Sequence, residues 1–312
     1  MTGSAPNTLS VHAAGIHFQN PILLAAGTAG YGREVAGVIN LDRLGGLVTK
    51  AVSVEPRDGA PPPRVAEFDG GMINAVGLAN PGLDSVRRDH MPWLASHITR
   101  ARALVNVVGH TVEEFATVVS GLSGAPGVSG FELNVSCPNV KRGGTEFGSD
   151  ATVLRELVAR ARAATTQPLF VKLSPTLPDI AATATAAVEA GADGITVVNT
   201  IPGLVIDPDT RRPILGFGTG GVSGAALRPV GVLATARVAR AVKVPIMGSG
   251  GIATVGDIVQ YLLAGASLVA IGTAALQDPR LPETLVAALQ RWCRRHSIHT
   301  LADVIGRLEW AP

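Results

Sequence analysis

Cysteine is scarce here: a chain of 312 residues holds two, Cys137 and Cys293. Two such distant thiols give no disulfide framework and no Cys-x-x-Cys pair. By itself the chain cannot hold an iron–sulfur cluster or a structural zinc. A reducing, cytoplasmic setting is the expectation. Aromatic residues make up only 4%, too few for platforms that stack nucleic-acid bases. Charged residues are 16% with a formal net charge of +2, so there is no basic footprint and no nucleic-acid partner is expected. No apolar run reaches membrane length, and the polar N-terminal stretch has no signal-like core, so no membrane partner is expected either. The seven histidines show no metal-ligand spacing, no acidic cluster marks a strand end, and no metal is expected.

What the chain does have is apolar residues, 46%, with 37 glycines and 21 prolines spread between the apolar runs. That pattern means many turns rather than disorder. Eight short apolar runs stand at 21–26, 47–51, 104–108, 131–136, 169–173, 194–199, 245–249 and 268–272. Helical patterns are expected at 33–39, 112–120, 153–164, 178–190, 227–241 and 255–264, with terminal helices at 282–294 and 301–305. This alternation predicts a parallel sheet covered by helices. Eight strands is the closure number of the (β/α)8 TIM barrel, and a length near ~250 residues plus insertions fits that fold. The doubly wound open sheet is disfavoured because no Gly-x-Gly-x-x-Gly turn follows the first run. The reading is one domain, 1–312: a barrel with an N-terminal hairpin at 9–18 and inserted loops at its C-terminal face. The insertions are 55–82, with a hairpin at 64–74, and 201–224. Long insertions in compact domains are usually functional.

The run at 131–136 ends in Ser136, Cys137, Pro138 and Asn139, then Gly143 and Gly144. A strand opening onto a reaction site has a use for such polar groups, and a thiol on a glycine-bearing loop can meet a substrate. A small apolar residue at a strand end is the plainer alternative. Other strand ends carry Lys50, Asn106, Asn134, Lys172 and Asn199, with Thr200 just beyond. Buried amides and ammonium groups are costly unless paired, so their convergence on one rim implies a polar ligand. The seventh and eighth runs end instead in Gly248-Ser249-Gly250-Gly251 and Gly272-Thr273. Barrels often bind a phosphate there, on backbone N–H groups that glycine leaves accessible. Lys172 suits either a Schiff-base lyase or a fixed cation beside an electron-accepting ring. Cys293, on a terminal helix, reads as a packing residue.

In order along the chain, Asn74-Ala75-Val76-Gly77-Leu78 with Asn80-Pro81-Gly82, then Asn134-Val135-Ser136-Cys137-Pro138-Asn139, carry a family likeness. So do Val171-Lys172-Leu173-Ser174-Pro175, Asn199-Thr200, Gly220-Gly221-Val222-Ser223-Gly224 and Gly248-Ser249-Gly250-Gly251-Ile252. On these motifs, over nearly its whole length, the chain resembles the dihydroorotate dehydrogenases, in their soluble cysteine-dependent class. The resemblance implies oxidation of dihydroorotate to orotate in pyrimidine biosynthesis, with FMN as cofactor and Cys137 as the base. It implies substrate contacts from Lys50, Asn74, Ala75, Val76, Gly77, Leu78, Asn134, Asn199 and Thr200. FMN contacts are implied for Ala26, Lys50, Ala51, Asn106, Asn134, Lys172 and Val198. Gly224, Gly250, Gly251, Gly272 and Thr273 would cradle the same cofactor, with its phosphate at the last four. Relatives often carry serine where Ala26 stands, so only a main-chain contact would survive there. The loops at 74–82 and 138–144 look more like the NAD-linked branch than the fumarate-reducing homodimer. That branch implies a homodimer core and a partner subunit carrying FAD and a 2Fe-2S cluster, giving a heterotetramer. A flavin enzyme acting on uracil-type substrates, as in dihydropyrimidine dehydrogenase, is a close alternative, and a binding-only barrel a more distant one.

Overall fold

Apolar runs with nothing polar to show to either face have to be covered on both sides, and a parallel sheet wrapped in helices does that. The computed structural model of the chain describes residues 8–136, 138–139 and 145–310. In it the runs form β1 (Ile22–Leu24), β2 (Gly46–Val48), β3 (Arg102–Val107) and β4 (Gly130–Asn134). β5 (Leu169–Leu173), β6 (Gly194–Val197), β7 (Ile246–Ser249) and β8 (Leu268–Ile271) complete the set. These strands pair in chain order and close into a barrel, with β8 beside β1. All pairings are parallel, so every C-terminal strand end lies on one rim. The expected (β/α)8 barrel and N-terminal hairpin are both present, the hairpin as Val11–Ala13 paired with Ile16–Phe18.

The longer helices are α1 (Met91–His97), α2 (Val112–Leu122), α3 (Ala151–Ala163) and α4 (Ile180–Glu189). α5 (Arg228–Ala241), α6 (Val255–Ala264) and α7 (Leu281–Arg295) follow. Helix α2 shows why they form: Val112, Phe115, Val118, Val119 and Leu122 recur at helical spacing and are all buried. Thr111 caps its start, as Asp150, Asp179 and Thr254 cap α3, α4 and α6, satisfying N–H groups that a helix start leaves over. Cys293 is buried on α7, where burial pushes its thiol up. Among the described residues no helix is long and apolar enough to cross a membrane.

Two local expectations are corrected. Residues 33–39 form turns rather than a helix. The segment starts beside Gly32 at φ +94° and is broken by Gly37, and so short a stretch cannot repay helix nucleation. At 301–305 only the 3-10 turn Leu301–Asp303 forms. Helix α1, in the sequence between the first insertion and β3, was not anticipated.

The two insertions are not separate loops. Val65–Phe68, Gly71–Asn74, Gly220–Ser223 and Ile201–Gly203 join in one four-stranded antiparallel sheet. Its central pairs are Gly221 with Asn74, Val222 with Ile73 and Ser223 with Met72. A bond of 2.8 Å from Thr273 Oγ1 to Ser223 Oγ ties this sheet to the residue two beyond β8.

At the opposite rim Asp42 organises the entry to β3. Its carboxylate accepts from the main-chain N–H of Thr99, Arg100 and Ala101 at 2.9–3.0 Å and from Thr99 Oγ1 at 2.7 Å. Partial burial pushes this carboxyl up, but those bonds together outweigh it and hold it at about 2. A carboxyl held below its unfolded value, about 3.9, stabilises the fold above that pH and stops doing so as pH falls through the folded value. Asp42→Asn is expected to lower the thermal midpoint by about 2–6 °C at pH 7. The gap to the unsubstituted chain should narrow between pH 4 and pH 2 in thermal melts; a gap independent of pH would contradict this account.

Candidate active site

Between the barrel rim and the inserted sheet lies a cavity of ≈ 860 Å³. That falls within the range of about 300–1,000 Å³ common for small-molecule and cofactor sites. Six strands contribute polar or small residues at its base. Lys50 and Ala51 follow β2, Asn106 lies within β3 and Asn134 ends β4. Lys172 lies within β5, and Val198, Asn199 and Thr200 follow β6. Ala26 lines the cavity beyond β1. Gly224, Gly250, Gly251, Gly272 and Thr273 line the side formed by β7, β8 and the start of α5. Asn74, Val76, Gly77 and Leu78 descend from the inserted sheet.

Ala75 instead lines a second cavity of ≈ 350 Å³, which shares Gly77, Ser136, Asn199 and Thr200 with the first. The strict alternation of side chains along an extended segment explains this: Asn74 and Val76 face one space and Ala75 the other. Cys137 lies outside the described residues; Ser136, the residue before it, lines both cavities. Sequence reading passed over Thr28, Ser223 and Ser249 as cavity residues, although each sits within or beside a glycine-bearing motif. It also passed over Glu146, which lines the second cavity and belongs to a two-residue strand (Thr145–Glu146) paired with Pro138–Asn139.

The amides at the base are oriented by partners that leave no choice. The main-chain N–H of Thr200 can only donate, and it donates to Asn199 Oδ1 at 2.9 Å. Asn199 therefore turns its Nδ2 to Asn134 Oδ1, at 3.2 Å. Asn134 in turn keeps its Nδ2 as a donor for the cavity. Asn74 Nδ2 donates to the main-chain carbonyl of Gly221 at 3.2 Å, which leaves Asn74 Oδ1 as an acceptor. A ligand bearing both N–H and C=O edges matches this pattern. Lys172 is 8% exposed. Among the described residues neither Lys50 nor Lys172 forms an ion pair. Two ammonium groups at the base of one cavity with no ion pair among the described residues suit an anionic ligand.

At the β7–β8 side the backbone itself is exposed to the cavity. Gly251 stands at φ +68°, and a Cβ there would lie 2.8 Å from Arg228 N and Gly224 O. Gly250 stands at φ +122°. No other residue would keep this loop so close to the start of α5 without strain. Behind it, Asp257 accepts from the N–H of Ala253 and Thr254 and pairs with Arg228 at 2.5 Å, which fixes the loop. Among the described residues the N–H groups of Gly250 and Gly251 meet no protein acceptor. That is the chemistry of a phosphate cradle. No group of His, Cys, Asp or Glu among the described residues could hold a metal ion.

Comparison with known proteins agrees with this geometry. The sequence profile of the family described as dihydroorotate dehydrogenase matches residues 8–292. A protein of Pelobacter propionicus called dihydroorotate dehydrogenase B (NAD(+)), catalytic subunit, is 42% identical over 301 residues, 96% of this chain and 98% of the relative. The protein of the same name from Geobacillus kaustophilus is 45% identical over 301 residues, 96% of each chain. That of Geotalea uraniireducens is 42% identical over 300 residues, 96% of this chain and 98% of the relative.

Glu146 gives the site a pH signature. Burial pushes its carboxyl up, and a hydrogen bond from Ser174 only partly offsets that. The folded chain thus holds this proton more tightly than the unfolded chain. Stability is fully present below the unfolded glutamate value, about 4.3, and is lost as pH rises through the folded one. Glu146→Gln carries no charge at any pH. It should melt with the unsubstituted chain at pH 4 and above it at pH 7; a constant difference, or the reverse order, would refute the burial argument.

Proposed function

The chain belongs to the dihydroorotate dehydrogenase family, and from that premise we propose that it oxidises dihydroorotate to orotate in pyrimidine biosynthesis with bound FMN. The observation that carries this reading is the base of the larger cavity. There a donor amide, an acceptor amide and two lysines that form no ion pair among the described residues stand opposite a glycine cradle. A cyclic amide bearing a carboxylate fits the first set, and a flavin phosphate fits the cradle. FMN, held by Gly224, Gly250, Gly251, Gly272 and Thr273, would supply the acceptor for a hydride.

Dihydroorotate has a ring CH₂ beside a carbonyl, and next to it a carbon bearing a hydrogen and the carboxylate. Oxidation removes a proton from the first carbon and a hydride from the second, and leaves a C=C bond. Cys137 takes the proton. A free thiol ionises near ~8.5, so the fraction of thiolate sets how readily it does so. Lys50 and the loop of Asn74, Ala75, Val76, Gly77 and Leu78 hold the carboxylate and ring. Asn134, Asn199 and Thr200 hold the ring's amide edges. Lys172 keeps a positive charge where electrons arrive, and preorganised charge of this kind costs nothing at the moment of reaction. Asn106, Ala26, Ala51 and Val198 would contact the cofactor.

The relatives' printed names speak of a catalytic subunit and of NAD(+). We extend that to this chain: a homodimer core of single-domain chains, 1–312, working in the cytoplasm with a second subunit. With no cysteine cluster of its own, the chain would need that subunit to carry FAD and a 2Fe-2S cluster between FMN and NAD, in a heterotetramer.

The purified protein is expected to be yellow, or to take up one FMN per chain. A colourless protein that neither releases nor binds flavin would sink the reading. In anaerobic mixing with dihydroorotate, Cys137→Ala should bleach the flavin about 10²–10⁴ times more slowly with FMN still bound. An unchanged rate would remove Cys137 from the reaction.

A further inference from the structure

Glu132 has no role in the chemistry above, yet its position is an expensive one. It lies within β4, 1% exposed, in a strand whose other inner neighbours are apolar or amide. A carboxylate buried this deeply is costly unless something holds it, and an apolar residue would serve the strand better. Among the described residues it forms no ion pair. Its one hydrogen-bond partner among the described residues is Asn106, directly opposite in register on β3 and also 1% exposed. Asn106 Nδ2 donates to Glu132 Oε1 at 2.8 Å.

An amide can turn either end toward a ligand, and the two orientations present opposite chemistry. A carboxylate accepts and does not donate, so it takes the amide's nitrogen and leaves the carbonyl free. Asn106 lines the larger cavity. Its main-chain N–H is tied as well, to Thr49 Oγ1 at 3.2 Å. We propose that Glu132 is a positioning residue for the cofactor: it commits Asn106 to presenting a carbonyl acceptor to the cavity, matched to the ring imide N–H of the flavin. The oxidised flavin ring has that one N–H donor, so an amide with the wrong end forward would face it with a second donor. The inference rests on the FMN reading above.

The test is a double-substitution cycle on FMN affinity, measured by fluorescence quenching as FMN is titrated into flavin-free protein. Glu132→Gln keeps the size of the side chain but can donate as well as accept, so Asn106 is free to turn. It should weaken FMN about tenfold, the scale of one charge-assisted hydrogen bond. Asn106→Ala should weaken FMN at least as much. Glu132→Gln combined with Asn106→Ala should bind within about threefold of Asn106→Ala alone, because Glu132 acts through Asn106. The visible absorption of the bound flavin should also shift in Glu132→Gln toward that of Asn106→Ala, which a merely structural residue would not cause. Additive losses, or an unchanged affinity in Glu132→Gln, overturn the assignment.

Should Glu132→Gln fail to fold, 3-methyl-FMN, which lacks the imide N–H, provides the second arm. The methyl group should cost about tenfold or more in the unsubstituted protein and less than about threefold in Asn106→Ala. An equal cost in both overturns the assignment. If the unsubstituted protein binds no FMN at all, the flavin reading itself falls, and Glu132 with it. Binding with additive losses removes Glu132 alone.

Discussion

Parallel pairing between the last strand and the first is the constraint on which everything else rests. The hydrogen bonds that set Val269 beside Ile22 and Ile271 beside Leu24 turn an open sheet into a ring. Once the ring is closed and every strand runs the same way, side chains from positions 50, 106, 134, 172 and 199 share one rim. An open doubly wound sheet would spread the same residues along a crevice. The apolar interior below the rim, with Leu23, Val48, Leu104, Phe170 and Met247 all at 0% exposure, excludes water from one side of the cavity. Charges and hydrogen bonds at its base therefore count for more than they would in solvent.

Within that frame, specificity comes from fixing amides rather than from adding more of them. Asn74, Asn106 and Asn199 are each tied to a partner with a single hydrogen-bonding character, a main-chain carbonyl, a carboxylate and a main-chain N–H respectively, and Asn199 so fixed in turn orients Asn134. The free end of each side chain is thereby decided before any ligand arrives. This is preorganisation in its simplest form, and it lowers the cost of ordering the site on binding. The glycine loop opposite works in the complementary way, by removing side chains so that the backbone can be the ligand. Together they give one face of oriented amide donors and acceptors and one of accessible main-chain N–H groups.

Much of this was legible in the residues. The eight apolar runs gave the barrel because a parallel strand buried on both faces has a composition hard to mistake. Lys50, Asn134, Lys172 and Asn199 stood out because polar groups at the ends of such runs need a reason. Other parts could not be read. The pairing of Gly221 with Asn74 spans 147 positions, and no local pattern announces a partner so distant. Residues 33–39 have helical composition, and only their shortness and flanking glycines keep them from a helix. Glu132 was passed over because one carboxylate inside Phe-Glu-Leu-Asn looks like an ordinary outward-facing strand residue. Its inward direction depends on where the strand begins to alternate. Ala75 was grouped with its neighbours because adjacency in sequence hides the fact that successive side chains point apart.

The most direct test of the account is a crystal structure of the protein grown with FMN and orotate. The account predicts the flavin phosphate against Gly250, Gly251 and Thr273, the ring over Lys172 and Asn106, and orotate between that ring and Asn74, with the sulfur of Cys137 facing the pyrimidine. Flavin bound elsewhere, or the Cys137 sulfur on the far side of the barrel from Lys172, would contradict it.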